Sequence, residues 1–185
     1  IASDGTVTDN LNGTFTITPT QNFNGTVTLN YDVIDGNGGS IAATQSYTLA
    51  AVNDDPTGTA TASLPNGTED TPYTVNASDL LASFSDVDDD TLSIAALIAS
   101  DGTVTDNLNG TFTITPTQNF NGTVTLNYDV IDGNGGSIAA TQSYTLAAVN
   151  DDPTGTATAS LPNGTEDTPY TVNASDLLAS FSDVD

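Results

Sequence analysis

Three aspartates at alternate positions, Asp86, Asp88 and Asp90, are the residues of this chain best placed to do chemistry. Carboxylate oxygens are hard ligands, and Ca2+ takes about six to eight oxygens in a flexible geometry that suits a loop better than the strict octahedron of Mg2+. The spacing matches the start of an EF-hand loop, but Thr91 stands where that loop needs glycine and Leu97 where it needs glutamate. We therefore expect an aspartate-rich calcium loop that is not an EF-hand.

Other acidic residues also fall in short clusters. Asp54 and Asp55 form one pair, and Glu69 and Asp70 form another. Carboxylates as dense as these repel one another strongly unless a cation lies between them. The alternative interpretation is that they only keep an array of identical neighbours soluble.

The glycine-rich stretch Asp132–Gly136 leaves two interpretations open. Asp132 and Asn134 either ligate a cation or form a turn from residues that favour turns. With their copies elsewhere in the chain, the predicted calcium ligands are Asp54, Asp55, Glu69, Asp70, Asp86, Asp88, Asp90, Asp132, Asp35, Asp151, Asp152, Glu166, Asp167, Asp183 and Asp185.

The charge balance excludes much other chemistry. The 185 residues include 24 acidic side chains and no Lys, Arg, His or Cys, so the formal net charge is −24. A chain without basic groups cannot hold nucleic acid or an anionic membrane surface by charge. It also has no Ser-His-Asp or Cys-His nucleophile, no ordinary zinc site and no disulfide. Only a glycosidase with paired carboxylates remains chemically feasible, and we predict that the protein is not an enzyme.

An internal repeat sets the organisation of the chain. Residues 1–88 are identical to residues 98–185, which gives a period of 97 residues, and only residues 89–97 occur once. A proline directly after two aspartates, at Pro56 and again at Pro153, breaks strand pairing and stiffens the connection. We therefore predict three domain pieces: the C-terminal part of one repeat at 1–55, a complete repeat at 56–152, and the N-terminal part of the next at 153–185.

The elements that must position these carboxylates are strands. Apolar residues occupy every second place in stretches such as Val124–Val130, and this alternation is typical of strands with one face in a core and one in water. Asn-Gly and Asp-Gly pairs supply the positive φ angles that tight turns need. We predict an all-β Greek-key sandwich of about seven strands. They should lie near 57–63, 71–76, 91–98, 102–106, 110–117, 122–131 and 136–148, with one helical turn at 78–84 capped by Ser78.

The order of the motifs resembles that of a known family. The motifs are Val52–Pro56, Glu69–Pro72, Ser85–Leu92, Gly110–Pro116, Phe120–Gly122 and Asp132–Gly136. Their succession resembles the bacterial cadherin-like tandem repeats, the extender domains of giant repeats-in-toxin (RTX) adhesins secreted by the type I route. The resemblance implies tandem Ig-like β-sandwich domains with Ca2+ at or near the domain junctions. Two residues depart from the family's pattern and add negative charge. Asp89 stands where the family often has glycine, and Asp55 stands where it has a small apolar residue.

Two functions fit these features. The first is a Ca2+-stabilised structural extender, in which Ca2+ at loops and linkers makes a stalk rigid. The alternative is a Ca2+-dependent adhesion module that binds a ligand, which usually requires exposed aromatic residues, and Tyr73 is the only aromatic residue outside the predicted core. The resemblance implies a secreted protein at the bacterial cell surface. We expect its partners to be neighbouring identical repeats in the same or adjacent chains, without nucleic acid and without membrane insertion.

The apolar faces of the partial repeats carry a further expectation. Exposing them to water is costly, and the residues concerned include Val7, Phe15, Ile17, Val27, Leu29 and Tyr31. We expect either that neighbouring molecules complete the partial repeats head to tail, or that the sequence is a window in a longer array.

Overall fold

The computed structural model describes residues 1–185, of which 43% are in strands and 4% in helices. This confirms the predicted all-β sandwich class. The strands are β1 (Thr6–Asp9), β2 (Phe15–Thr18), β3 (Gly25–Ile34), β4 (Ser40–Leu49), β5 (Thr57–Gly58), β6 (Gly67–Thr68), β7 (Tyr73–Asn76), β8 (Phe84–Ser85), β9 (Ser93–Ala99), β10 (Thr103–Asp106), β11 (Thr111–Thr115), β12 (Gly122–Ile131), β13 (Ser137–Ala147), β14 (Thr154–Gly155) and β15 (Phe181–Ser182). The helices are α1 (Ala77–Leu80) and α2 (Ala174–Leu177), and neither is long and apolar enough to cross a membrane.

Contacts between residues group the chain into two compact units, which we describe separately. The first unit comprises residues 1–58, 85–92 and 131–138, and the second comprises residues 59–84, 93–130 and 139–185. This grouping follows contacts and not sequence repeats. The predicted division of the chain after residues 55 and 152 therefore stays a prediction.

The second unit is built on two sheets. One has three strands in the order β10-β11-β7, and the other has four in the order β6-β13-β12-β9. The three-stranded sheet is antiparallel, with Ile114 opposite both Val104 and Tyr73. β6 adds to β13 in the parallel sense, with Gly67 opposite Leu146. Together the two sheets contain six of the seven predicted strands, and β6 takes the place of the predicted strand near 57–63.

Alternating burial along β12 and β13 forms the core of the second unit. On β12 the buried residues are Val124, Leu126, Tyr128 and Val130, and on β13 they are Gln142, Tyr144 and Leu146. Burial of an apolar side chain of this size stabilises the fold by about 1.5–3 kcal/mol. Two of the buried polar side chains have partners: the Tyr128 hydroxyl donates to the Leu80 carbonyl oxygen at 2.8 Å, and Gln142 Nε2 donates to the Ala62 carbonyl oxygen at 2.7 Å. The Tyr144 hydroxyl is buried without a partner.

The predicted strand at 57–63 is wrong beyond Gly58. Gly58 has a φ of 139°, a conformation that ends the strand. The carbonyl oxygen of Ala62 then accepts a hydrogen bond from the Gln142 side chain and not from a neighbouring strand. The Ala62 carbonyl group is therefore satisfied outside a sheet, which a pattern of β-formers does not reveal.

The predicted helical turn at 78–84 is also displaced. It begins at Ala77 with Asn76 as its N-cap residue, and no side chain accepts a capping hydrogen bond. Asn76 Nδ2 instead donates to Asp79 Oδ2 at 2.8 Å. The positive φ of Ser83, 73°, lies beyond the end of the helix at Leu80 and turns the chain into β8.

The first unit contains the strand pairs β1-β2 and β3-β4. These strands have the same sequences as segments of β10 to β13, yet their side chains are more exposed. Tyr31 has 45% of its surface exposed, whereas its copy Tyr128 has 3% exposed. Val7 and Phe15 are exposed as well, and Ile17 and Leu29 are half-buried. Of the apolar residues that the sequence marks on this face, only Val27 is fully buried.

Candidate metal centres

The aspartate loop between β8 and β9 brings its three carboxylates together. Oxygens of Asp86, Asp88 and Asp90 lie within 4.8 Å of one another, and all three residues are half-buried. Asp86 Oδ1 accepts a hydrogen bond from the backbone N–H of Asp88 at 2.8 Å, which forms a tight Asx turn. Asp89 has a φ of 59°, a left-handed conformation that glycine adopts at lower cost. The other oxygen of Asp86, Oδ2, is buried and has no hydrogen-bond partner.

The linker before Pro56 is tied to this loop. The backbone N–H of Asp54 donates to Asp88 Oδ2 at 2.8 Å. An open groove of about 640 Å³ beside the loop is lined by Asn24, residues 51–53, residues 87–90 and Asn134. All of these residues belong to the first unit. The structure therefore gathers linker and loop oxygens around one solvent-accessible groove.

Asp132 is buried and organises the glycine-rich turn. Its Oδ1 accepts hydrogen bonds from the backbone N–H groups of Asn134 at 2.7 Å and of Gly135 and Gly136 at 3.0 Å. Asn53 Nδ2 donates to Asp132 Oδ2 at 2.7 Å. This side-chain hydrogen bond is the main cause of a lowered Asp132 pKa, and the three backbone N–H groups lower it further. Because donors already engage both oxygens, Asp132 fits the turn interpretation better than ligation.

The same glycine-rich turn lies close to two more predicted ligands, Asp55 and Asp90. A Cβ atom on Gly136 would collide with the carboxylates of Asp132 and Asp55, so glycine is needed for Asp55 to approach. Asn134 Nδ2 donates to Asp90 Oδ2 at 2.7 Å and joins the turn to the aspartate loop. This glycine turn thus supports the geometry of the aspartate loop from one side.

A second acidic cluster lies in the second unit. Oxygens of Glu69, Asp151 and Asp185 are within 4.8 Å of one another. Glu69 is only 1% exposed, and its Oε1 accepts from the backbone N–H of Val149 at 2.7 Å, while Asn121 Nδ2 donates to Oε2 at a longer 3.4 Å. The backbone N–H of Asp151 donates to Asp185 Oδ2 at 2.6 Å.

The electrostatics of this second cluster are unfavourable without a cation. Burial raises the pKa of Asp151. The negative charges of four nearby carboxylates raise it further: Asp70, Asp185, Glu69 and Asp183. The chain contains no Lys, Arg or His that could offset them. Asp151 Oδ2 is also buried without a hydrogen-bond partner. A buried carboxylate oxygen among like charges is the environment in which a metal cation stabilises the ionised form.

One contact recurs at both linkers. Asp54 bonds to Asp88 in the same way that Asp151 bonds to Asp185, and each pair is the copy of the other 97 residues along the chain. Each cluster also contains a carboxylate oxygen without a partner. The donors are carboxylate oxygens with neighbouring amides, a hard oxygen set that fits Ca2+ and lacks the nitrogen and sulfur ligands usual for zinc.

The other predicted ligands lie outside these two clusters. Asp35 is exposed, and its Oδ1 accepts from the backbone N–H groups of Asn37 and Gly39, both at 2.8 Å, which lower its pKa. Asp152, Glu166 and Asp167 are exposed. Two residues lie beside the second cluster: Asp70 Oδ1 accepts from the backbone N–H of Asn119 at 2.9 Å, and Asp183 Oδ1 accepts from that of Asp185 at 3.3 Å. Ligation by any of these residues stays a prediction.

Sequence patterns missed two amide side chains that the structure brings to the clusters. Asn53 holds Asp132 and Asn121 reaches Glu69. Asn53 directly precedes the linker aspartates, and this position was a signal for its role. Asn121 precedes a glycine, and the turn interpretation of that pair hid its contact with a residue 52 positions away.

Comparison with known proteins gives one family match. A family model described as a cadherin-like domain matches residues 1–50, 52–147 and 149–185, and no curated protein matches. Among solved structures, an endo-fucoidan hydrolase from glycoside hydrolase family 107 is similar over 80% of this chain, with 19% identity and a TM-score of 0.40. A single-substitution variant of that enzyme gives 16% identity over 80% of the chain and a TM-score of 0.39. This chain spans 24% and 23% of their lengths, and likeness at this level supports no conclusion about activity.

Proposed function

We propose, since the chain belongs to the family of cadherin-like domains, that it is a Ca2+-stabilised structural extender of a large bacterial surface adhesin. Domains of this family are in general non-enzymatic and serve adhesive or structural roles outside the cell. The narrower assignment, to the stalk of an RTX adhesin secreted by the type I route, is supported by the order of the sequence motifs. Its partners would be neighbouring identical repeats.

The linker contact that recurs 97 residues apart carries this proposal. At each linker, a backbone N–H of the first aspartate is fixed to a loop carboxylate of the following segment. A mere solubilising surface has no need of repeated contacts or of carboxylates held in clusters. A bound Ca2+ would supply the positive charge that the chain lacks, held at one linker by Asp54, Asp86, Asp88 and Asp90 and at the other by Glu69, Asp151 and Asp185.

The chain's own residues explain how such a cation would restrict the linkers. Pro56 and Pro153 already limit the backbone on one side of each linker. The hydrogen bonds of Asp54 and Asp151 hold the other side against a loop. Repulsion among the clustered carboxylates opposes this arrangement, and neutralising them removes the opposition. A spacer needs length and stiffness more than diversity, which agrees with the exact sequence repeat.

Small-angle scattering of the 185-residue chain, with Ca2+ and with chelator, tests the proposal. We expect Ca2+ to change the maximum dimension and to narrow the distribution of distances as the linkers become rigid. Asp88→Asn should reduce this response, because Asp88 belongs to the cluster and accepts the linker hydrogen bond. Asp129→Asn is the matched control, with the same change of charge on strand β12 and outside both clusters.

An unchanged maximum dimension in Ca2+ would refute the stiffening role. Equal effects of the two substitutions would show that the response follows total charge and not the site. Light scattering on the same samples gives the molecular mass, so that a change of shape is separated from association between chains.

The alternative of a ligand-binding module finds no support in the structure. Tyr73, the aromatic residue left for ligand stacking, lies parallel to Tyr144 with the ring centroids 3.9 Å apart. Its hydroxyl donates to the Pro65 carbonyl oxygen at 2.8 Å. All Phe and Tyr residues between 56 and 152 are buried or half-buried. A specific Ca2+-dependent hit on a glycan array would revive that alternative.

A further inference from the structure

The tip of the β10-β11 hairpin contains an Asn-Gly pair whose side-chain carbonyl is held by two donors. Asn109 Oδ1 accepts from the backbone N–H of Thr111 at 3.1 Å and from the Thr111 hydroxyl at 2.7 Å. The same hydroxyl oxygen accepts from Asn107 Nδ2 at 2.8 Å. Hydrogen bonds that run in one direction polarise one another. The Asn109 carbonyl is therefore polarised, and its Cγ atom is more open to attack by a nucleophile.

The backbone nitrogen that follows Asn109 is free to attack this carbon. The N–H of Gly110 lies before strand β11 and donates to no acceptor. Asn109 and Gly110 are both exposed, and a Cβ atom on Gly110 would meet nothing within 4 Å beyond its chain neighbours. Neither a hydrogen bond nor a packed side chain therefore hinders the approach of the Gly110 nitrogen to Cγ of Asn109.

The other copy of this hairpin has the same arrangement. Asn12 Oδ1 accepts from the backbone N–H of Thr14 at 3.1 Å and from its hydroxyl at 2.7 Å. Asn10 Nδ2 donates to Thr14 Oγ1 at 3.0 Å. The two hairpins belong to different units of the structure. The residues of the loop itself therefore set this geometry.

Three other Asn-Gly pairs lack the combination of a polarised carbonyl and a free nitrogen. The N–H of Gly135 donates to Asp132 Oδ1 at 3.0 Å, which engages the nitrogen that follows Asn134. Gly67 and Gly122 belong to strands β6 and β12. Strand pairing restricts the backbone rotation that brings the nitrogen to the side chain, and attack there requires local opening.

We propose that Asn109 and its copy Asn12 are sites of spontaneous deamidation, a reaction that the hairpin tip itself assists. The Gly110 nitrogen bonds to Cγ of Asn109 and gives its proton to water. The two donors of Thr111 stabilise the negative charge that develops on Oδ1. The bond from Cγ to Nδ2 then breaks, and this nitrogen leaves as ammonia with a proton from water. Water opens the resulting succinimide ring at either carbonyl, which gives aspartate or isoaspartate.

The fold tolerates this modification at the hairpin tip. Asn109 and Gly110 are exposed, and the preceding Leu108 has 89% of its surface exposed. Neither the added charge nor the extra backbone carbon of isoaspartate therefore reaches the core. The loop contributes no residue to either acidic cluster. The chain thus gains one negative charge per modified hairpin as it ages, whether or not Ca2+ is bound.

Incubation of the 185-residue chain near neutral pH, followed by mass spectrometry, measures the rate at each asparagine. A glutamate-specific protease cuts only after Glu69 and Glu166, so the two hairpins fall in the separate peptides 1–69 and 70–166. Fragmentation of each peptide locates the modified residue. Within peptide 70–166, we expect Asn109 to deamidate faster than Asn134. In urea, which removes the loop hydrogen bonds, the two rates should converge.

Two substitutions at one position test the role of the hydroxyl. Thr111→Val keeps the shape of the side chain and should slow deamidation of Asn109 by about 3- to 10-fold, because one hydrogen bond to the developing oxyanion is lost. Thr111→Ser keeps the hydroxyl and should keep the native rate. Asn12, whose loop is unchanged in both variants, serves as the reference in the same sample.

The proposal is overturned if Asn109 reacts no faster than Asn134 in the folded chain, or if the difference between them persists in urea. Equal rates at Asn109 in Thr111→Val and Thr111→Ser also overturn it, because the hydroxyl would then have no part in the reaction. The comparison of Asn109 with Asn134 needs no substitution, so it tests the proposal even if a variant loses the hairpin. None of these measurements depends on the proposed role of the chain as an extender.

Discussion

At the scale of single residues, the carboxylates fall into two kinds. Asp132 and Glu69 are buried, and N–H groups donate to both oxygens of each. Asp86 and Asp151 each keep one buried oxygen without a donor. A buried polar atom without a partner costs about 1–3 kcal/mol. The donors to Asp132 shape a loop, those to Glu69 hold its carboxylate at the second cluster, and the second kind is where a cation gains most.

The raised pKa of Asp151 gives a testable pH dependence. The folded chain holds a proton on this carboxyl group at a higher pH than the unfolded chain, in which the group has the ordinary pKa of 3.8. In chelator, Asp151 therefore contributes stability that is fully present below its pKa in the unfolded chain. This stability is lost as the pH rises through its pKa in the folded chain. We therefore expect the melting temperature of the native chain, relative to that of Asp151→Asn, to rise as the pH is lowered from about 7 to about 4.

Thermal melts of both proteins across this range measure the difference, and Asp129→Asn serves as a charge control. Saturating Ca2+ should abolish or reverse the trend, because a bound cation favours the ionised carboxylate. A difference that does not vary with pH in chelator would contradict the assigned environment of Asp151.

At the scale of elements, the sequence predicts long strands well and short ones poorly. The alternation in β12 and β13 places both strands to within one residue. β6 and β8 have two residues each, too few to show any period, and both were missed. The aspartate loop is evident from three neighbouring residues. The second cluster is not, because only the folded topology brings Glu69 within 4.8 Å of a residue as distant in sequence as Asp185.

Identical sequences within the chain show why the remainder could not be predicted. Residues 73–76 form β7 beside β11, while residues 170–173 have the same sequence and no partner strand, and they form no strand. Local preference is equal in the two copies, so pairing decides the outcome. The same comparison explains why Asp132 lies in a buried turn and its copy Asp35 in an exposed one.

The glycine-rich turn offers a prediction for one element. Gly136→Ala should destabilise the chain by about 1–3 kcal/mol, because its Cβ atom would collide with Asp132 and Asp55. Gly39→Ala is the matched control, since the copied glycine meets only the exposed Asp35 side chain. Urea unfolding of both variants measures the effect.

If the turn supports the aspartate loop, Gly136→Ala should also lower the affinity for Ca2+ in a calorimetric titration. Equal destabilisation by the two substitutions would show that the approach of Asp55 to Gly136 contributes nothing.

At the scale of the whole molecule, no basic side chain offsets the net charge of −24. Self-repulsion of this size destabilises compact states, and both added salt and specific cations relieve it. The two remedies differ in kind. Salt screens all the carboxylates weakly, whereas a cation at a cluster acts only on the few residues that surround it.

This difference predicts how salt and Ca2+ combine. In chelator, the melting temperature should rise with NaCl as repulsion is screened. In Ca2+ at about one hundred times its dissociation constant, each occupied site should add about 2.7 kcal/mol of stability, and the remaining salt dependence should be shallower. Mg2+ at equal concentration reproduces the ionic strength and serves as the control, because it dehydrates reluctantly and fits an irregular loop poorly. If Mg2+ stabilised the chain as much as Ca2+, the clusters would be sites of general charge screening. A gain specific to Ca2+ and lost in Asp88→Asn would tie the stability of the whole array to the aspartate loop.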